Sequence, residues 1–254
     1  MKPVNTSLYG DNIVYVYETA DLLKQAAADL IASYAVDVVR HKSTFSMALS
    51  GGASPVGVYE KLLSDKWKTS FPWQQSHFFF GDERYVPHDH EQSNYRMAMQ
   101  AFLQAAPVHQ QHIHPIPTDC PQPEDCAEQY ERTIIDTLST DQEKAIPVLD
   151  LVLLGMGDDG HTASLFPTTE ILNENEAMVA AVYVDKLDSW RISMTFPLLN
   201  QANRVIVLVA GENKASVLAE VLLSDEVKYP IQMLDNPYGV MWLVDQGAAS
   251  QLTS

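Results

Sequence analysis

Residues 149–167 read LDLVLLGMGDDGHTASLFP. Leu149, Leu151, Val152, Leu153 and Leu154 make a near-continuous apolar run, which suits a strand covered on both faces in a parallel sheet. The character then changes abruptly. Gly155, Gly157 and Gly160 loosen the backbone, while Asp158, Asp159 and His161 bring ionisable groups to the carboxyl end of the strand. Open α/β folds bind ligands at that end, so the stretch points both to an α/β fold and to the position of its site.

The 254 residues suffice for one large α/β domain. No repeat, low-complexity tract or linker divides them, so a single domain over 1–254 is expected, with a small excursion around 107–123. Hydrophobic residues make up 46% of the chain. No apolar run approaches the ~18 to 20 residues of a membrane span, and MKPVNTSLYGDN at the start lacks the apolar core of a signal peptide. Cys120 and Cys126 can pair with each other but form no framework of the secreted kind. A soluble, cytoplasmic protein is expected. The net charge of −17, from 33 acidic against 16 basic residues, argues against nucleic acid or an anionic membrane as partner. A small anion would need a pocket made locally positive by few bases, which gives weight to any Arg or Lys beside a glycine-rich turn.

Outward from this stretch, three further apolar strands end in similar turns. TFSMALS leads into SGGASP and the helix PVGVYEKLL, where Ser54 suits an N-cap and Pro55 a first helical position. Gly51 and Gly52 leave that helix start uncluttered for a phosphate. HFFF leads into GDERYVP, with Asp82, Glu83 and Arg84 together. RVIVLV leads into AGENK and a helix, with Lys214 in the turn or the first helical turn, where the helix dipole disfavours a cation unless an anion offsets it. Right-handed crossovers in a parallel sheet bring all four turns to one edge, and we read one site from them.

The remaining elements frame that edge. Ile13, Val14 and Val16 predict a first strand. Leu22, Leu23, Ala26, Ala27, Leu30, Ile31, Tyr34, Ala35, Val38 and Val39 give one apolar helix face, ended by Arg40, His41 and Lys42. Ser93 starts a helix through Leu103, and another runs from Glu124 to about Leu138. VAAVYV and RISMTF read as strands, with Arg191 at the start of the second, and VMWLVD closes the chain. The pairs His88/His90 and His112/His114 lack further ligands at zinc spacing, so no metal is expected.

Gly155 to Gly160 literally match G-x-G-x-x-G after a strand. Two carboxylates, however, stand where a pyrophosphate would lie, and Pro167 leaves little room for the long helix of that fingerprint. Dinucleotide binding is therefore set aside. GMGDDGHTASLFP, together with SGGASP, GDERYVP, SNYRMA, RISMTFPLLN and VLVAGENK, resembles the 6-phosphogluconolactonase family, in family order over roughly residues 49–214. The resemblance implies an open, mostly parallel, Rossmann-like sheet flanked by helices, shared with glucosamine-6-phosphate deaminase, ribose-5-phosphate isomerase A and CoA transferases. It implies hydrolysis of 6-phosphoglucono-δ-lactone to 6-phosphogluconate in the oxidative pentose phosphate pathway, without metal or organic cofactor.

On that resemblance, and on the chemistry of an imidazole, His161 takes the proton of the water that attacks the lactone carbonyl, and Asp159 orients the imidazole or the water. Gly51, Gly52, Ala53 and Ser54 would hold the phosphate with Arg84, Lys214 and, more weakly, Arg191, beside Asp82. Ala53 stands where the family often carries a hydroxyl or Arg. No G-x-S-x-G elbow supports Ser54 or Ser164 as a nucleophile. A glucosamine-6-phosphate deaminase is the nearest alternative, set apart by the residues after the histidine. A non-catalytic sugar-phosphate sensor would leave His161 and Asp159 without a task.

Overall fold

The computed structural model describes residues 2–138 and 146–252. Its strands are β1 (Asn5–Tyr9), β2 (Asn12–Tyr17), β3 (Phe45–Leu49), β4 (Ser76–Phe80), β5 (Asp82–Arg84), β6 (Ile113–His114), β7 (Leu151–Gly155), β8 (Val179–Val184), β9 (Ser189–Met194), β10 (Val205–Val209) and β11 (Val240–Asp245). The helices are α1 (Ala20–Lys42), α2 (Ala53–Leu62), α3 (Asn94–Ala98), α4 (Pro123–Leu138), α5 (Phe196–Asn200) and α6 (Ala215–Leu223). Eight strands form the main sheet in the order β1-β2-β11-β10-β7-β3-β4-β6. Every neighbouring pair is parallel except the β1–β2 hairpin. This is the mostly parallel, helix-flanked sheet expected from the sequence.

Burial explains the central strands. Leu151, Val152, Leu153 and Leu154 of β7 are wholly buried, as is most of β3 and β10, and each such side chain contributes ~1.5 to 3 kcal/mol on leaving water. α1 begins where Thr19 Oγ1 accepts a hydrogen bond from Leu22 N, and ends at Ser43 in the left-handed conformation after Arg40, His41 and Lys42. Its buried face, Leu23, Ala26, Ala27, Ile31 and Ala35 with Ala28 and Ala32, packs toward α2 and the sheet. Asp150, inside the apolar run, is only 1% exposed. Its carboxylate accepts from Ser46 N at 2.8 Å, Ser46 Oγ at 2.9 Å, Lys42 Nζ at 2.7 Å and Asn203 Nδ2 at 3.3 Å.

Several local readings are corrected. β1 was not anticipated, because NTSLY carries little apolar pattern and only its pairing with β2 makes it a strand. α2 starts at Ala53, so Gly52 rather than Ser54 is the N-cap; Pro55 falls at the third helical position, where no intrahelical N–H is needed. Ser93 does cap a helix, its Oγ accepting from Arg96 N at 3.1 Å, but α3 ends at Ala98 and the chain widens into a π-turn over Met99–Leu103. β9 begins at Ser189, two residues before Arg191.

A second, antiparallel sheet of order β5-β9-β8 was also not foreseen. The charged triplet of β5 reads as a turn, yet Gly81 joins it directly to β4. Gly81 N donates to Leu49 O in the main sheet and Gly81 O accepts from Met194 N in the second, each at 2.8 Å. After β7 the chain forms turns and a single bridge between Thr162 and Leu165, without the helix a dinucleotide fingerprint requires. The 107–123 segment contributes β6 to the sheet edge, and Cys120 is disulfide-bonded to Cys126 with Cα atoms 5.5 Å apart. No helix of the described residues is long and apolar enough to cross a membrane.

At that edge His77 Nδ1 and His114 Nε2 lie 3.0 Å apart, and His112 stacks on His77 at 4.0 Å between ring centroids. Burial, then the neighbouring imidazoles, push both His77 and His114 down to about 4. An unfolded chain takes up protons here near ~6.5, the folded chain only near 4. The cluster's contribution to stability is therefore complete above pH ~6.5 and is lost as pH falls from there toward 4. Urea unfolding from pH 7 to 4 is expected to show this loss, and a His77→Gln/His114→Gln variant to show a flatter profile; equal slopes would contradict the assignment.

Candidate active site

The turns after β3, β4, β7 and β10 meet around one cleft of about 290 Å³ at the carboxyl edge of the main sheet. It is lined by residues 50–55, Asp82, Arg84, Asn94, residues 155–157, His161, Ala163, residues 208–210 and Lys214. Its volume suits a small, sugar-sized ligand.

One wall is the start of α2. Gly52, at φ +99°, takes a turn that other residues resist and aims the first helical turn at the cleft. That turn has neither a side-chain cap nor an acidic residue, so its backbone N–H groups and positive dipole end face the cleft uncompensated.

The adjoining wall is β5. Glu83 is almost fully buried, and its carboxylate accepts from Arg84 N at 2.8 Å, Asn94 N at 2.7 Å, Tyr95 N at 2.8 Å and Ser93 Oγ at 3.0 Å. Burial raises its carboxyl pKa above the ordinary range, against the pull of these hydrogen bonds. Asp82 is likewise engaged, accepting from Asn94 Nδ2 at 3.2 Å and from Ser164 Oγ at 2.6 Å. Ser164 thus braces the loop after β7 against β5, an arrangement unlike that of an activated nucleophile.

Arg84 donates from Nη1 to Gln92 O at 2.5 Å, whereas its Nε is buried without a partner. Arg191 faces it across the β5–β9 pairing, is 8% exposed, and also has an unpartnered Nε. Burial and then the Arg84 charge lower the pKa of Arg191. Arg84 lines the cleft, and Arg191 lies directly opposite it on the same face of the β5–β9 ladder. Lys214 lies in the turn before α6 and forms an ion pair with Asp158, which also accepts from Asn213 Nδ2 at 3.1 Å. The Lys214 hydrogen bond and charge hold the Asp158 carboxyl below its ordinary range.

On the opposite side His161 Nδ1 lies 2.5 Å from Asp159 Oδ1, and the imidazole stacks on Phe166 with centroids 4.0 Å apart. Gly157 permits this. A Cβ there would stand 2.1 Å from His161 Nδ1, so any side chain would displace the ring. The other carboxylate oxygen of Asp159 pairs with Lys186, in the turn between β8 and β9. Burial opposes ionisation of Asp159, but the hydrogen bonds from Lys186 and His161 prevail and bring its carboxyl down to about 2.

The structure therefore brings His161, Asp82, Arg84, Lys214 and the Gly51–Ser54 turn to one cleft, with Asp159 immediately behind His161. Asn94, Lys186 and the bracing role of Glu83 escaped the sequence reading. Asn94 follows a helix-capping Ser93, a signal that located the helix but not the cleft. Lys186 carries no local signal at all.

The chain matches the family model of glucosamine-6-phosphate isomerases/6-phosphogluconolactonase over residues 18–242. It belongs to this family. The 6-phosphogluconolactonase of a Nostoc species is 38% identical over 227 residues, covering 89% of this chain and 92% of that protein. That of a Synechocystis species is 36% identical, covering 91% and 94%. Among solved structures, the 6-phosphogluconolactonase from Trypanosoma cruzi superimposes with a TM-score of 0.82 at 28% identity, covering 98% of this chain and all of that one. The Thermotoga maritima enzyme gives 0.79 at 31%, covering 92% and 99%. A monomeric glucosamine-6-phosphate deaminase, at 20% identity and 0.78, shares the fold.

Removing the Glu83 carboxylate would leave one buried and two part-buried backbone N–H groups and a buried serine hydroxyl without their acceptor. Glu83→Ala is expected to lower the unfolding free energy by about 3 kcal/mol. Urea denaturation checks this, and a loss under about 1 kcal/mol would show that these donors find other partners.

Proposed function

We propose that the chain hydrolyses 6-phosphoglucono-δ-lactone to 6-phosphogluconate, with His161 as general base. The observation that carries the mechanism is the His161–Asp159 contact at 2.5 Å, on a cleft whose other wall is an uncapped helix start flanked by cations. The activity is supported by relatives named 6-phosphogluconolactonase at 36–38% identity over nearly the whole chain.

The substrate phosphate lies against Gly51, Gly52, Ala53 and Ser54, held by backbone N–H groups, the guanidinium of Arg84 and the ammonium of Lys214. Arg191, opposite Arg84 on the same face of the ladder and with an unpartnered Nε, adds positive potential and a weaker contact to the phosphate. Asp82 fixes the loop that carries His161. With Nδ1 engaged by Asp159, His161 presents Nε2 to a water molecule. The water attacks the lactone carbonyl, Nε2 takes its proton, and backbone N–H groups of the glycine turns stabilise the oxyanion. As the tetrahedral intermediate collapses, the carbon–ring-oxygen bond breaks and His161 returns the proton to the leaving oxygen.

This reading takes the chain as one α/β domain, supported by the single cluster that joins the buried residues of both sheets. It also takes the enzyme to act in the cytoplasm on a small molecule and not on nucleic acid, in keeping with a net charge of −17.

A coupled assay that generates the lactone in place, corrected for spontaneous hydrolysis, tests the function. His161→Ala is expected to lower kcat by about 10²- to 10⁴-fold with little change in affinity for 6-phosphogluconate. Arg84→Ala and Lys214→Ala should instead raise KM by about ten-fold or more. No acceleration by the wild-type protein refutes the activity, and unaltered turnover by His161→Ala refutes the base.

A further inference from the structure

Asp159 is held by both of its oxygens, and the second partner is Lys186. The turn between β8 and β9 carries Lys186 to Asp159 Oδ2, while Asp159 Oδ1 meets His161 Nδ1. Both partners of the carboxylate also touch Phe166. The imidazole stacks on its ring, and Lys186 Nζ lies 4.6 Å from the ring centroid. Lys186, Asp159, Phe166 and His161 thus form one connected group, of which the sequence marks only three.

We propose that Lys186 is a positioning residue for the hydrolysis, fixing the Asp159 carboxylate that orients His161 and balancing its charge. The inference rests on the assignment of His161 as base. Two physical arguments support it. A carboxylate bound at one oxygen turns easily about its last torsion, whereas one bound at both does not. Second, an unbalanced carboxylate beside an imidazole favours the protonated ring, and a base must be unprotonated when water arrives. The ammonium of Lys186 neutralises Asp159, so protonating the imidazole adds a net charge instead of cancelling one.

The surrounding charges leave that task to Lys186. Asp158, on the same loop, is engaged with Lys214 from the turn before α6. Arg84 and Asp82 of β5 face His161 across the cleft. Glu124 at the start of α4, Glu170 and Asp185 line the cavity that Asp159 and Lys186 share on their other side, and all three are acidic. Tyr229 packs against Gly160. Lys186 is the cation in contact with Asp159 among the described residues. It is half-exposed, at 51%, so its effect is moderated by solvent and its replacement leaves the core untouched.

The test compares wild type, Lys186→Met, Lys186→Arg, Asp159→Asn, the Asp159→Asn/Lys186→Met double variant and His161→Ala. kcat and KM are measured separately from about pH 5.5 to about 7.5, the span in which histidines titrate. Lys186→Met is expected to lower kcat about ten-fold at the acid end and about three-fold at the other, with KM within about two-fold. The acid limb of kcat/KM moves toward higher pH, because a cation has been removed from beside the base. Lys186→Arg restores most of the activity, and in the Asp159→Asn background Lys186→Met has little further effect. A uniform loss with an unmoved limb, a change confined to KM, or full additivity with Asp159→Asn overturns the proposal. Impaired His161→Ala with unimpaired Lys186→Met overturns the positioning role alone. Wild-type turnover by His161→Ala overturns the base assignment and the role of Lys186 with it.

Discussion

The register between β3, β7 and β10 is the constraint on which the site depends. These strands carry three of its four turns, and they are pinned at their amino ends by one buried carboxylate. Asp150 accepts from the backbone and side chain of Ser46 at the start of β3, and from Asn203 just before β10. Ser46 Oγ in turn accepts from Asp150 N at 3.0 Å. A slip of one residue would move a turn by ~3.3 Å along the sheet, more than the difference between a hydrogen bond and none. It would also turn every side chain to the other face. A buried charge adds little net stability once its desolvation is counted, but it discriminates sharply between pairings. Setting the amino ends places Gly155 of β7 beside Leu208 of β10 at the carboxyl edge, where the cleft opens.

A second set of bonds braces the two halves of the cleft against each other. Gly81 links the sheets, Glu83 fastens β5 to the start of α3, and Asp82 takes the hydroxyl of Ser164 from the loop that carries His161. Ser164 N donates in turn to Ser193 Oγ of β9 at 3.2 Å. The backbone between these anchors includes Ala163 at φ +47°, a conformation disfavoured for alanine and retained because both sides are held. The loop that carries His161 and the strand that carries Arg84 are therefore fastened to each other.

How much of this was legible in the sequence follows from where each signal is stored. The parallel strands and their four turns were legible, because an apolar run followed at once by glycine and charge is a local pattern. His161 and Asp159 lie in one such turn, two residues apart. The second sheet was not legible: Asp82, Glu83 and Arg84 look like a solvated charge cluster, and their strand identity comes from pairing with β9, over a hundred residues later. Glu83 spends its charge on backbone donors, which no pattern of side chains reveals. Arg191 is legible only as a cation near a strand end, and its place directly opposite Arg84, on the same face of the ladder, comes from the pairing of β5 with β9. Asp150 hid inside an apolar run, and Lys186 inside an ordinary polar turn; both acquire their partners only when distant segments meet.

The charge of the chain poses a final problem, since a protein at −17 must attract an anion to a cleft with few bases. The ion pair between Lys214 and Asp158 shows how the two requirements coexist. Lys214 is 18% exposed and Asp158 74% exposed, so the acid sits in water and the cation beside the cleft. A pair with one so exposed member is worth ~0 to 1 kcal/mol, and Asp158 loses little on returning to solvent. Charge-assisted hydrogen bonds to a phosphate are worth ~1.5 to 3 kcal/mol. With Lys214 in its proposed role, exchange of partners thus runs toward the phosphate. Until then Asp158 holds the lysine side chain toward the loop after β7, limiting the rotamer entropy lost on binding. An acidic residue beside an anion site, which looks misplaced in the sequence, is compatible with the site because its hold on the lysine is weak.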